Sequence, residues 1–274
     1  MKITILVDNN AASSRLAAEH GLAFWIETGG RKILFDTGQG GCLPGNARRL
    51  GVALQDADWI VLSHGHFDHT GALAYALDQA TRARLYCHPA VVLPRFACRG
   101  ADATSIGMPP ESKRALDALP LDRIKWTFEP VWPAEGIGLS GYIPRRTDFE
   151  DTGGPFYLNP EGTHADAIED DLAVWFETPG GLVVCVGCCH AGLVNTLMRV
   201  RQLSGRSKIR AVVGGFHLMG ADRRRIGLTI DNLREMGVDT ICPCHCTGEA
   251  AVAALKASLA QRVIPGRAGM TLQF

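Results

Sequence analysis

Ser63-His64-Gly65-His66-Phe67-Asp68-His69-Thr70-Gly71 places three imidazoles and one carboxylate within six residues. The segment before it, Ala57-Asp58-Trp59-Ile60-Val61-Leu62, reads as a buried strand. The segment after it, Thr70 to Leu77, reads as a helix. The cluster therefore occupies a tight loop between a strand end and a helix mouth, where several side chains can be aimed at one point. Neutral imidazole and carboxylate are ligands of zinc, manganese and iron. Ligand type, density and placement agree on a metal site rather than a His-rich surface loop.

Bulk properties bound the rest. A chain of 274 residues with 46% apolar and 20% charged residues is long and apolar enough for a sizeable core, so a soluble globular protein is expected. Lys and Arg total 28, as do Asp and Glu, and this balance argues against a dedicated nucleic-acid surface. The one compact basic run, Arg223-Arg224-Arg225, reads first as a solvated helix start and second as a contact for an anionic substrate. No apolar run has the length of a membrane span, and the stretch Met1 to Asp8 is too short for a signal peptide and reads as a first strand. Nine cysteines, an odd number, then point to reduced thiols and a cytoplasmic protein.

Working outward from the cluster, Ile3 to Val7 is a strand, and Leu22 to Thr28 with Lys32 to Phe35 make a hairpin turned by Gly29-Gly30. Asp36-Thr37-Gly38, a Gly-rich loop and a helix over Asn46 to Leu50 follow. Arg84 to Cys87 is the next strand and ends at His88. From about Val92 to Asp166 the pattern weakens. Nine of the fourteen prolines fall there, and the stretch reads as an insertion in a single domain spanning 1–274, part of it flanking the site. Trp126 and Trp132 are expected to fill core within it.

Regular pattern resumes at Asp171. Leu172 to Thr178 and Leu182 to Val186 form a second hairpin, followed by a helix over Leu193 to Leu203. The strand Ile209 to Val213 leads to His217, a helix covers Arg224 to Met236, the strand Asp239 to Cys242 leads to His245, and Gly248 to Leu259 is helical. Met270 to Phe274 closes as a last strand. The two hairpins match: Leu22 to Gly30 lies over Leu172 to Gly180 at a constant offset of 150, with six of nine residues identical. The order of elements after each hairpin also agrees, with His64 answering to His217 and His88 to His245. Duplication is the expectation. Two such halves would pack sheet on sheet with helices outside, and loops from both would meet at one edge.

That edge would gather further donors. His190, in Gly187-Cys188-Cys189-His190-Ala191-Gly192, and His245, in Cys242-Pro243-Cys244-His245-Cys246, each lie between a strand and a helix. Ligands from separate strand ends suit an open catalytic site better than a closed structural one. His217 is a candidate for substrate contact or acid catalysis, and His88 reads as structural. Ser63, Thr70 and Thr247 read first as helix caps and second as hydrogen-bond donors to ligands or substrate, and His20 reads as a surface residue. The late cysteines admit a soft-metal or redox reading, with one Cys-x-x-Cys spacing at Cys185 and Cys188, but small buried residues at strand ends are the preferred one.

His64-x-His66-x-Asp68-His69, preceded by Leu34-Phe35-Asp36-Thr37-Gly38, resembles the metallo-β-lactamase superfamily. Gly187 to Asn195 and Cys244-His245-Cys246-Thr247-Gly248 resemble its branch named dihydropterin ribofuranosylaminobenzene phosphate synthase. The resemblance covers nearly the whole chain apart from the insertion. It implies an α/β fold, an αββα sandwich of two similar halves, and two divalent metal ions, zinc first, with manganese and iron as other candidates. Carried over, His64 and His66 with His190 would hold one ion, and Asp68 and His69 with His245 the other, with Asp36 orienting a ligand by hydrogen bonding. The sequence departs from the superfamily where a bridging Asp is expected after Val186. Cys188-Cys189-His190 stands there, so His190 is the first choice of ligand and Cys188 the second.

The implied chemistry is hydrolysis: a metal-activated hydroxide attacks a phosphodiester or an ester or lactone in a small, anionic molecule, with Asp68 taking the proton. Two alternatives stand beside it. One is the synthase of the branch name, joining a dihydropterin methyl pyrophosphate to a ribofuranosylaminobenzene phosphate. The other is a redox or metal-sensing protein. No nucleic-acid or membrane partner is expected, and a homo-oligomer is left open.

Overall fold

The computed structural model describes residues 1–100 and 102–274. In chain order the strands and helices are β1 Lys2–Val7, β2 Ala23–Thr28, β3 Arg31–Phe35, α1 Leu43–Arg49, β4 Trp59–Val61, α2 Phe67–Thr70, α3 Leu73–Gln79 and β5 Arg84–Cys87. There follow β6 Phe96–Arg99, β7 Asp102–Ser105, α4 Pro110–Asp117, β8 Ile124–Trp126, β9 Val131–Ala134, β10 Ile137–Leu139 and β11 Phe156–Tyr157. The chain ends with β12 Ala173–Thr178, β13 Gly181–Val186, α5 Leu193–Ser204, β14 Ile209–Gly215, α6 Arg223–Glu235, β15 Thr240–Cys244, α7 Glu249–Leu259 and β16 Thr271–Gln273. The chain divides into two compact units. The first comprises 1–126, 154–170 and 267–273, and the second comprises 127–153, 171–266 and Phe274.

The first unit is built on a seven-stranded sheet in the order β16-β1-β2-β3-β4-β5-β8. Its strands alternate with a period of two. Ala23 and Trp25, Leu34, Ile60 and Leu62, and Leu85 and Cys87 point to one face and pack with Leu43 and Ala47 of α1 and Leu73, Ala76 and Leu77 of α3. Each buried aliphatic side chain of this kind contributes roughly 1.5–3 kcal/mol. Strands β6, β7 and β11 make a separate three-stranded sheet.

The second unit repeats the plan with a six-stranded sheet, β15-β14-β13-β12-β10-β9. Trp175, Val184, Val212 and Ile241 face Leu193 and Leu197 of α5, Leu233 of α6 and Leu255 of α7. The hairpin offset read from the sequence holds in the pairing register: Glu27 pairs with Lys32 and Glu177 with Leu182, so both partners shift by 150. Each hairpin is then extended by two parallel strands, β4 and β5 in the first unit, β14 and β15 in the second. The first hairpin turns on Gly29 and Gly30 at φ of 54° and 74°, values for which a side chain would be strained.

Three expectations are corrected. Trp126 and Trp132 are not core, being 40% and 55% exposed. The start of α6 is not wholly solvated: Arg225 is buried, and its amide is capped by the Asp222 carboxylate at 2.7 Å. The helix expected over Thr70 to Leu77 is two shorter ones, α2 and α3. Gly71 sits between them, pressed so closely on the Gln39 carbonyl that a Cβ would collide with it. Among the described residues no helix is long and apolar enough to cross a membrane.

Candidate metal centre

In the first unit the site begins at Asp36, the residue after β3. It adopts φ of 55°, an uncommon left-handed conformation for a residue other than glycine. That bend sets its carboxylate, fully buried, beneath the loop after β4. Oδ1 accepts from the Ser63 amide at 2.7 Å, and Oδ2 accepts from the Ser63 hydroxyl and from His69 Nδ1, both at 2.7 Å. These bonds determine tautomers. His69 gives its Nδ1 proton to Asp36, so its Nε2 carries a lone pair. Ser63 spends its proton on Asp36, so at 2.8 Å from His64 Nδ1 it accepts, and the His64 lone pair also falls on Nε2. One carboxylate thus leaves two imidazoles ready as ligands.

His64 Nε2 lies 3.0 Å from His66 Nδ1. Two nitrogens on one ion, at about 2.1 Å each and tetrahedral, stand about 3.4 Å apart. The spacing and the donor chemistry fit a divalent ion. Asp68 Oδ2 lies 3.8 Å from His69 Nε2 and 3.1 Å from His20 Nε2. His20, expected at the surface, is half exposed, yet it pairs with the buried Asp68. Ser63 and Thr70 are not caps: Ser63 serves Asp36, and Thr70 donates to the His66 carbonyl at 2.9 Å.

The loop has supports that sequence reading did not identify. Arg95, buried, binds Asp166 through Nε at 2.7 Å and Asp170 through both terminal nitrogens at 2.9 and 2.6 Å. Asp170 in turn accepts from the Gly65 amide at 2.8 Å. A Cβ on Gly65 would collide with the Val91 carbonyl, which is why glycine stands between the two ligand-bearing residues. The Gly-rich loop closes on Glu19, whose carboxylate accepts from the amides of Gln39, Gly40, Gly41 and Cys42 at 2.8–3.2 Å. Burial, with the Glu19 charge beside it, pushes the Cys42 thiol up to about 11. His88 accepts from the Ala90 amide at 3.0 Å, the structural role expected of it.

In the second unit donors arrive from three strand ends. After β13 come Cys188, Cys189 and His190; after β14, His217; after β15, His245 and Cys246. Cys189, His217 and His245 all take positive φ, 56°, 43° and 47°, so each strand end bends sharply at its donors. His190 Nδ1 donates to the Thr152 carbonyl at 2.8 Å, which places its lone pair on Nε2. His217 Nε2 donates to the Gly153 carbonyl at 3.2 Å. The donor atoms of Cys188, His190 and His217 lie within 4.8 Å of one another, as do those of Cys188, His245 and Cys246. Asp171 accepts from the Ala191 amide at 2.8 Å and holds the Cys-Cys-His turn. Thr247 again is no cap; it donates to the Cys244 carbonyl at 2.7 Å and accepts from the Phe216 amide.

Electrostatics separates the thiols. Burial raises Cys185 and Cys189 far above the ordinary thiol range. Burial also opposes ionisation of Cys246, but hydrogen bonds with Cys188 and His217 and the charge of His245 outweigh it and draw that thiol well below its ordinary value. His217 is raised in return: burial opposes its protonation, and its bond to Cys246 outweighs the burial. Among the described residues all nine cysteines are unbridged. A cavity of about 450 Å³ opens beside His217, with Asp148, Asp151, Arg224 and Arg225 on its walls.

The family model of the metallo-beta-lactamase superfamily matches residues 17–194. The chain belongs to this superfamily, one of metal-dependent hydrolases, and has its mixed α/β fold. It is 32% identical over 261 residues to the Methanocaldococcus jannaschii 7,8-dihydropterin-6-methyl-4-(beta-D-ribofuranosyl)-aminobenzene-5'-phosphate synthase, covering 90% of this chain and 88% of that protein. A second M. jannaschii protein, MJ0448, uncharacterised, is 32% identical over 248 residues, covering 90% of each chain. The crystal structure of Tm1679, described as a metal-dependent hydrolase of the beta-lactamase superfamily, superposes with a TM-score of 0.85 at 28% identity, covering 100% of this chain and 99% of that one.

Proposed function

We propose that the protein is a metal-dependent hydrolase that cleaves a phosphodiester, ester or lactone bond in a small anionic molecule. In this reading His64, His66, Asp68, His69, His190 and His245 hold two divalent ions, zinc first, with manganese and iron as alternatives. The observation that carries it is the Asp36 carboxylate, which sets the lone pairs of both His64, through Ser63, and His69 on Nε2. Divalent ions bound by these residues would polarise the scissile group and bring the pKa of a water towards about 7. Asp68 accepts the proton released, and His20, 3.1 Å away and half exposed, relays it to solvent. His217 borders the cavity and delivers a proton to the leaving group, while Arg224 and Arg225 meet the anionic part of the substrate. The unbridged cysteines support a reducing, cytoplasmic setting.

A panel of phosphodiesters, esters and lactones tested with the zinc-, manganese- and iron-loaded protein checks this reading. Turnover that disappears with chelator and returns with metal is the expected result. His66→Ala should abolish turnover and lower the metal content while circular dichroism stays unchanged; full activity after chelation would overturn the proposal. A second reading, a condensing synthase, is favoured by the 32% identity over 90% of the chain to the archaeal synthase. There the same residues would activate a pyrophosphate leaving group, and pyrophosphate release requiring both condensation partners would replace hydrolysis as the observed reaction.

A further inference from the structure

Cys188 and Cys246 are 58 residues apart in sequence, yet their sulfurs and a His245 ring nitrogen lie within 4.8 Å of one another. Two sulfurs bound to one ion at about 2.3 Å in tetrahedral geometry stand about 3.8 Å apart, so the spacing needs little closure. All three residues are buried. The backbone is drawn in around them: Cys246 Sγ lies 3.8 Å from the Cys188 carbonyl, and a Cβ on Gly215 would fall 2.5 Å from that sulfur. The neighbouring thiols are arranged differently. Cys189, next to Cys188, turns away into the apolar core with Leu193 and Leu197. Cys185 lies within β13.

We propose that Cys188 and Cys246 are metal-ligating thiolates and that with His245 they form a sulfur-containing site in the second unit. Such a site takes a soft or borderline divalent ion, zinc, cobalt(II) or iron(II), and rejects hard, oxygen-seeking magnesium. The proposal rests on the metal reading above but not on hydrolysis, and it adds two sulfurs to a ligand set otherwise made of nitrogen and oxygen. It also makes Cys188 a ligand in its own right rather than a substitute for His190.

X-ray absorption on the full-length, unmutated protein loaded with zinc tests it without any variant. Sulfur scattering at about 2.3 Å is expected; a shell of nitrogen and oxygen alone would overturn the proposal and leave the metal reading standing. Cobalt(II) titration of the chelator-treated protein gives a second readout. A sulfur-to-cobalt charge-transfer band should appear in the near-ultraviolet, disappear in Cys188→Ala and Cys246→Ala, and persist in Cys189→Ala. A band that survives both of the first two variants would assign the sulfur elsewhere and overturn the proposal. Failure to bind cobalt or zinc at all would overturn this site together with the metal reading.

Discussion

The two units solve one problem in opposite ways. Each sets a hairpin of identical register beside two parallel strands, and each gathers metal-binding types of side chain at its strand ends. The first concentrates its nitrogen and oxygen donors in one loop after β4 and orients two of them with a single side chain, Asp36. The second spreads its donors over three strand ends, includes sulfur, and orients His190 and His217 with backbone carbonyls of Thr152 and Gly153. Sheet pairing is therefore the shared part and the loops are where the halves diverged. Loops vary in length and sequence more readily than strands, in which a one-residue slip would turn every side chain to the wrong face.

The sharpest way to break this contrast is at Arg95. Arg95→Ala strands the buried carboxylates of Asp166 and Asp170, and should cost about 3–5 kcal/mol in urea unfolding. A loss below about 1 kcal/mol would mean that the cluster behaves like a surface ion pair and does not brace the loop. Next comes the side-chain orienter. Asp36→Ala should weaken metal binding about 10- to 100-fold in competition with a chromophoric chelator. No single substitution can do the same to the carbonyls that serve the second unit. Unchanged affinity would show that loop packing alone sets the ring orientations.

Asp171→Ala probes the second unit directly. It removes the acceptor of the Ala191 amide and should cost about 1–3 kcal/mol, with faster hydrogen exchange at that amide. Unaltered exchange there would show that the turn holds itself. The smallest effect is expected at Glu150, whose buried carboxylate accepts from the Val194 and Asn195 amides at 2.9 and 3.0 Å. Burial raises its pKa above the ordinary value of 4.5. The folded state then binds the proton more tightly than the unfolded one, so stability falls as pH climbs from about 4.5 through the raised value and is level above it. Glu150→Gln should remove that fall in chemical denaturation across a pH series; an unaltered slope would assign it to another group.

Much of this was legible from local pattern. Apolar runs bounded by Gly-rich turns locate the hairpins to within a residue, because a strand buried on both faces leaves a run such as Ala23-Phe24-Trp25-Ile26 in the sequence. The offset of 150 held in the register, because hairpin pairing is set by neighbours along the chain. The cluster from His64 to His69 stood out for the same reason: its donors are contiguous. Asp36 was reachable only through the family resemblance, since nothing around it in sequence shows which histidine it meets 33 residues later.

The rest depended on contacts between distant residues. Arg95 with Asp170, Asp171 with Ala191, and Cys188 with Cys246 are separated by 75, 20 and 58 residues. Composition and periodicity report burial and secondary structure, not which buried polar groups meet. Outside 92–166, sequence alone thus determined the strands, their duplication and the donor-rich loop, because these follow from backbone periodicity and residue type. Only the tertiary structure decided which ring nitrogen of each histidine carries the lone pair and that Cys188 and Cys246 come together. Those outcomes hang on hydrogen bonds and bends at φ above zero that packing imposes from outside each segment.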